Sequence, residues 1–213
     1  MKNTLLTSDY STDEFAIKLA SVEEVYKDIH KACNDTHLPG CGSYFMNGQT
    51  YDYHIGMYPK QKLLYELAKD ADSFLEIGTY MGHSLLIALL ANPKMKITCI
   101  DIDDTYTAPA VKVLQNHFPL AEIRFIHGDS LTNLSAIDEK FDLIHIDGHH
   151  ENNYITAEFN MCKTMSNRKD LNVVFDDLDC CQTLITEINL SSQVLMQITP
   201  NCDWTNTYLK IKI

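Results

Sequence analysis

The sequence predicts an α/β protein built on a doubly wound, seven-stranded sheet, mostly parallel, with one antiparallel strand toward its C-terminal end. Three observations point there. Short apolar segments alternate with helical ones from residue 73 to about residue 190, the pattern of a parallel sheet buried on both faces. A turn carrying two glycines, Gly78 and Gly82, joins the first strand to the helix after it. The last two apolar segments are separated only by a short turn region at Pro200–Asp203 and read as a hairpin.

The elements follow in order. Residues 13 to 33 carry a helical pattern in Phe15, Ile17, Leu19, Val22, Val25, Tyr26 and Ile29. A loop rich in glycine and aromatics runs from Leu38 to Tyr58, and it is expected to be either a lid over a binding site or a packing arm. Residues 1–57 are therefore read as an N-terminal extension and 58–213 as the main domain. Pro59 stands where a helix can start, with Leu63, Leu64 and Leu67 on one face. Strands are expected at Ser73–Ile77, Lys96–Ile100, Glu122–Ile126, Phe141–Ile146, Leu171–Phe175, Gln193–Thr199 and Asn206–Ile213. Helices are expected at Gly82–Ala91, Ala108–His117, Leu131–Leu134, Glu151–Met165 and Cys180–Leu190.

Bulk properties narrow the class. With 213 residues the chain fits one domain with a sizeable core. A net charge of −12 without a basic stripe argues against nucleic acid as partner. The longest strongly apolar run, Leu85 to Ala91, is too short to cross a bilayer, and MKNTLLTSDYSTDE lacks the apolar region of a signal peptide. Seven cysteines without a C-x-x-C pair fit free thiols, and a cytoplasmic location is expected.

In open α/β sheets, ligands bind beyond the carboxyl ends of the strands, near the point where strand order reverses. The first strand ends in Glu76-Ile77-Gly78-Thr79-Tyr80-Met81-Gly82-His83-Ser84. The glycines allow a sharp turn and close backbone approach, and the following helix aims free N–H groups at a negative group. The carboxylate of S-adenosylmethionine suits that place. A dinucleotide would call for G-x-G-x-x-G, whereas the spacing here is G-x-x-x-G. Asp101, ending the second strand, is positioned to accept from ribose hydroxyls. After the third strand, Asp129 or Ser130 could meet the adenine amine, and Asp129 could equally cap the short helix that follows.

These residues resemble those of the metal-dependent small-molecule O-methyltransferases of the catechol and macrolide-sugar types, from about Tyr58 to Asp179. EIGTYMGHS is similar to their first motif, which implies cofactor contacts from Glu76, Gly78, Tyr80, Gly82 and Ser84, with Asp101 as the ribose acid. Asp147-Gly148-His149-His150 is similar to their D-G-x-H segment, and Asp176-Asp177 to the acidic pair after the fifth strand. The resemblance implies a Rossmann-like class I methyltransferase fold. It departs from the family at Asn152, where an aromatic is common, and at Asn167–Asp170, where no glycine precedes the fifth strand.

The topology supports a metal site independently. Asp147 ends the fourth strand and Asp176 and Asp177 the fifth, and neighbouring strands would bring the three carboxylates together. Clustered like charges are costly without a proton or a cation. Hard oxygen donors suit Mg²⁺, with Mn²⁺ as a substitute. The alternative is that Asp176 and Asp177 only cap the next helix. The resemblance implies that the cation holds two adjacent oxygens of the acceptor beside Asp147 and that His150 is the general base, with His149 as its natural confounder and His145 a core histidine. A sugar hydroxyl on a deoxyhexose or other glycan unit is the leading acceptor and a catechol or other phenol the second. Two other classes stay open. Asp101-Ile102-Asp103 forms the D-x-D of a metal-dependent sugar-nucleotide transferase, and the fold could also persist as an inactive cofactor-binding module.

Overall fold

The structure, a computed structural model, describes residues 1–34, 44–46, 50–191 and 194–212. Residues 35–43 and 47–49 of the aromatic loop, Gln193 at the expected start of the sixth strand, and Ile213 lie outside the described residues. The strands are β1 (Ser73–Ile77), β2 (Lys96–Asp101), β3 (Glu122–His127), β4 (Leu143–Ile146), β5 (Asp170–Phe175), β6 (Val194–Ile198) and β7 (Thr207–Lys212). They form one sheet in the order β3-β2-β1-β4-β5-β7-β6. The first five are parallel, and β7 runs antiparallel to both β5 and β6. The expected seven-stranded fold is therefore observed, with the hairpin at its C-terminal side. Strand order reverses between β1 and β4.

Burial follows the pleat. On β1, Phe74 packs into the core on one face of the sheet while Leu75 and Ile77 pack into the core on the other. The second of these cores is covered by α7 (Ser130–Leu134), α8 (Asn152–Cys162) and α9 (Leu178–Ser191). The first is covered by α2 (Glu14–Ser21), α3 (Glu23–Cys33), α4 (Tyr58–Ala68), α5 (His83–Ala91) and α6 (Asp104–His117), with the short α1 (Lys2–Leu6) against α2. Residues of the N-terminal extension, among them Leu5, Phe15, Ile29, Tyr44 and Phe45, belong to this same core. The helix α5 is buried nearly all round, consistent with its run Leu85-Leu86-Ile87-Ala88-Leu89. No helix among the described residues is long and apolar enough to cross a membrane.

Two boundaries differ from expectation for a visible physical reason. Phe141 and Asp142 precede β4 rather than belonging to it. The Asp142 carboxylate accepts from the N–H groups of Asp72 and Ser73, and Phe141 makes an isolated bridge to Ser166, so regular pairing starts at Leu143. The helix α6 begins four residues early, at Asp104, because the Asp103 side chain caps it by accepting from Thr105 N–H. Pro109 lies inside this helix and does not end it.

Candidate active site

The reversal of strand order is held by close backbone contact. Asp147 N–H donates to Ile77 O at 2.8 Å, and Gly78 N–H donates to Ile100 O at 2.9 Å. Gly78 has φ +81°, and a Cβ there would stand 2.0 Å from Asp147 O. Only glycine permits this crossing. Gly82 (φ +67°) begins α5, whose N-terminus has no side-chain cap.

Beside this crossing lies a cavity of about 610 Å³, within the usual range for small-molecule sites. Gly78, Tyr80, Asp101, Asp129, Ser130, Asp147 and His150, all expected site residues, line it. A second, narrow cavity at the N-terminus of α5 is lined by Ser84, Tyr80 and Asp147 among others. A cofactor with a nucleoside and an amino-acid carboxylate fits these surroundings. The large cavity has apolar walls at Ile77 and Ile100 with acids at its rim, and an uncapped helix N-terminus stands beside it.

The acids along this rim are held differently. Asp101 Oδ2 accepts from the N–H groups of Thr79 and Tyr80, both at 2.7 Å, and Oδ1 accepts from Asp103 N–H at 2.9 Å. It thus ties the β1 turn to the end of β2, with one lone pair left for a ligand. Asp129 caps α7, through Thr132 N–H, and also lines the cavity. The Tyr154 hydroxyl also donates to Asp129, and this bond, with the Thr132 N–H, holds the carboxyl below its ordinary value.

Glu76 takes another place. It is fully buried and lines neither cavity. Its Oε1 meets His145 Nδ1 at 3.0 Å, the residue directly opposite it in the β1–β4 register. His145 is thus the core histidine expected. Glu76 Oε2 and His145 Nε2 have no hydrogen-bond partner among the described residues.

At the ends of β4 and β5, one carboxylate oxygen from each of Asp147, Asp176 and Asp177 lies within 4.8 Å of the others. Burial, and then the charge of Asp176, push the Asp147 carboxyl well above the ordinary value. The compensating groups are cations. Lys60, on α4 and almost fully buried, donates to both oxygens of Asp176 at 3.0 and 2.9 Å. Its ammonium also stands 4.2 Å from the centre of the Tyr44 ring. Burial works against the Lys60 charge, but Asp176 and Asp147 outweigh it and raise its pKa. His150 Nδ1 lies 2.8 Å from Asp177 Oδ2. Burial would raise the Asp177 carboxyl, yet the His150 hydrogen bond and Lys60 hold it low, while His150 itself is raised by the Asp177 bond. Asp177 has φ +50°, a strained conformation for a residue other than glycine.

This donor set fits a small divalent cation. Asp147 is the one acid of the three without a cationic side chain bonded to it among the described residues, its burial makes a charge there costly without a cation nearby, and the donors are hard oxygens. The grouping of His150, Asp177 and Cys180 has similar spacing, but its mixed donors suit a softer ion and it shares Asp177. The two adjacent histidines diverge: His150 turns to Asp177, whereas the His149 ring packs 4.7 Å from that of Tyr154.

Sequence reasoning missed Lys60 and Glu158. Lys60 occupies the apolar face that Leu63, Leu64 and Leu67 define, and a lysine on such a face is a signal of a buried partner. Glu158 lies on the buried side of α8 with Ile155, Phe159 and Cys162, which is the same signal.

Residues 75–178 match the family described as Methyltransferase domain. Just under half of the chain is thus similar to a methyltransferase domain. Solved structures of methyltransferases share its fold along nearly the whole length. The O-methyltransferase TomG from Streptomyces achromogenes, involved in tomaymycin synthesis and solved with SAM, is 17% identical, covering 93% of this chain and 96% of its own, at a TM-score of 0.63. An O-methyltransferase from Bacillus cereus in complex with SAH is 17% identical over 92% and 97% of the two chains, at a TM-score of 0.62. The SAH-bound methyltransferase PaMTH1 of Podospora anserina is 14% identical over 99% of both, at a TM-score of 0.63. No curated protein sequence matches. The fold that the resemblance to class I methyltransferases implies is borne out.

Proposed function

We propose that this methyltransferase moves the methyl group of S-adenosylmethionine to a hydroxyl oxygen of a small molecule, with a divalent cation, Mg²⁺ or Mn²⁺, at Asp147, Asp176 and Asp177. The observation that carries this reading is the convergence of the three carboxylates beside the large cavity, with His150 in contact with one of them. In this reading Gly78, Tyr80, Asp101, Asp129 and Ser130 hold the nucleoside part of the cofactor. Gly82 and Ser84 at the start of α5 face its carboxylate, whereas Glu76, expected to contact the cofactor, is paired with His145 in the core and lines neither cavity.

A bound divalent cation supplies Lewis acidity that lowers the pKa of a neighbouring hydroxyl. Asp147, Asp176 and Asp177, at the ends of two neighbouring strands, would hold it. Lys60 holds both oxygens of Asp176 and so orients it. Asp177 accepts from Nδ1 of His150, which fixes the tautomer and leaves Nε2 as the atom that takes the acceptor's proton. The oxygen then attacks the methyl carbon in line with sulfur, and positioning accounts for much of the rate. A histidine at the base position favours a sugar with two neighbouring oxygens, a deoxyhexose or another glycan unit, over a catechol. The free thiols suit a reducing compartment, and the cytoplasm is the proposed location.

Methyl transfer from labelled S-adenosylmethionine to a panel of sugars and catechols tests the reading. Activity on sugar acceptors is expected, lost in excess chelator and restored by Mg²⁺ or Mn²⁺. Full activity in chelator removes the cation from the mechanism. Turnover of catechols alone hands the site to phenolic acceptors. Cofactor binding without transfer to any acceptor favours an inactive binding module.

A further inference from the structure

Glu158 is fully buried, yet it belongs to the wall of the large cavity. Its Oε1 accepts from the Ser130 hydroxyl at 2.5 Å, while Oε2 has no hydrogen-bond partner among the described residues. Gly148 keeps the space around it tight. A Cβ at Gly148 would stand 3.1 Å from Ile77 Cγ2 and 3.3 Å from Glu158 Oε1. The carboxyl is therefore confined against Ser130.

A serine hydroxyl has one hydrogen to donate and lone pairs to accept with. When that hydrogen is committed to Glu158, Ser130 offers a ligand only acceptor capacity. Resting on the adenosylmethionine reading of the cavity, we infer that Glu158 fixes the hydrogen-bond polarity of Ser130 and so selects a purine with an exocyclic amine over one with a keto oxygen at the same position. An amine would meet a lone pair. A keto oxygen would meet another acceptor with no hydrogen between them, the kind of unpaired contact that gives strong discrimination.

The arrangement also makes selection depend on pH. Burial raises the Glu158 carboxyl to about 7, with the charge of Asp129 acting in the same direction, and Ser130 and His150 opposing. Tyr154 and Cys162, on the same helix, are the other titratable groups that feel its charge. Tyr154 is committed as a donor to Asp129. Protonated Glu158 can donate to Ser130 and release the serine hydrogen toward the ligand. Discrimination should therefore be strong above the Glu158 pKa and weak below it.

The test compares binding of S-adenosylhomocysteine with that of its deaminated analogue, S-inosylhomocysteine, by titration calorimetry on the full chain. Above the Glu158 pKa the wild type should prefer the amine by at least about tenfold, the scale of one hydrogen bond. A unit below that pKa the preference should shrink toward equality. Glu158→Gln can turn its amide to donate to Ser130, and it should lose the preference at both pH values while still binding S-adenosylhomocysteine. Undiminished preference in Glu158→Gln, or a wild-type preference that ignores pH, overturns the inference and leaves the cofactor reading intact. If the variant fails to fold, the wild-type pH comparison decides alone. If the wild type binds neither nucleoside, the cofactor reading falls and this inference falls with it.

Discussion

At the ends of β2 and β3, carboxylates are spent on uncharged donors: Asp101 receives three backbone N–H groups, and Asp129 receives the N–H of Thr132 and the hydroxyl of Tyr154. At the ends of β4 and β5, the acids lean on charged side chains, with Lys60 on Asp176 and His150 on Asp177, while Asp147 is driven toward its protonated form. Fixed dipoles build a rigid rim. Charged side chains build a site whose balance can be shifted by another cation or a proton. One half of the sheet edge is thus suited to hold a cofactor in place and the other to chemistry that moves charge.

The comparison can be broken most forcefully at His150. His150→Ala should lower turnover by about 10² to 10⁴ while leaving cofactor affinity nearly unchanged. His149→Ala is the control and should stay close to wild type. Because the Asp177 bond raises the His150 pKa above its ordinary value, the neutral base is lost as pH falls through that raised pKa. The wild-type rate should therefore climb with pH on a limb displaced to the alkaline side of a free histidine. Inactivity of the His149 variant with a normal His150 variant would exchange the two roles.

Lys60→Met tests whether the acid side needs its internal cation. Removing one partner of a buried ion pair costs roughly 3–5 kcal/mol, and thermal unfolding should register it. Added Mg²⁺ should raise the midpoint of the variant more than that of the wild type. Equal midpoints for variant and wild type without metal would show that Asp176 does not depend on Lys60.

The smallest effect is expected on the amide side. Asp101→Ala should weaken S-adenosylhomocysteine binding by about 1–3 kcal/mol, because three N–H groups lose their acceptor and the turn slackens. Calorimetry measures it directly. A cation affinity that falls as much as the nucleoside affinity would dissolve the division between the two sides.

The sequence discloses the positions of the acids better than their partners. The strands were legible because a parallel sheet buried on both faces leaves short uninterrupted apolar runs, and β1 matched its expected span residue for residue. The start of α6 was not, since it is set by the Asp103 side chain accepting from Thr105 N–H and not by the apolar period of the helix. That Asp147, Asp176 and Asp177 end adjacent strands could be read from strand order. That Asp101 faces the N–H groups of Thr79 and Tyr80 could not, because it depends on the path of a turn in which Tyr80 itself has φ +47°. Glu76 shows the limit of a motif: the residue stands at the expected place, but its register opposite His145 turns it into the core.

Strand β7 lies between β5 and β6, although it comes after both in the chain. During synthesis on the ribosome, β5 therefore emerges with one flank unpaired, and the strand that covers it appears only after α9 and β6. The acidic pair at the end of β5 would reach its final setting late, after the cofactor half of the sheet has all its strands. A nascent chain could thus hold the nucleoside before it could carry out the transfer. Deletion of Thr207–Lys212 should leave a fragment that exposes an adhesive strand edge and aggregates, rather than one that is merely slower.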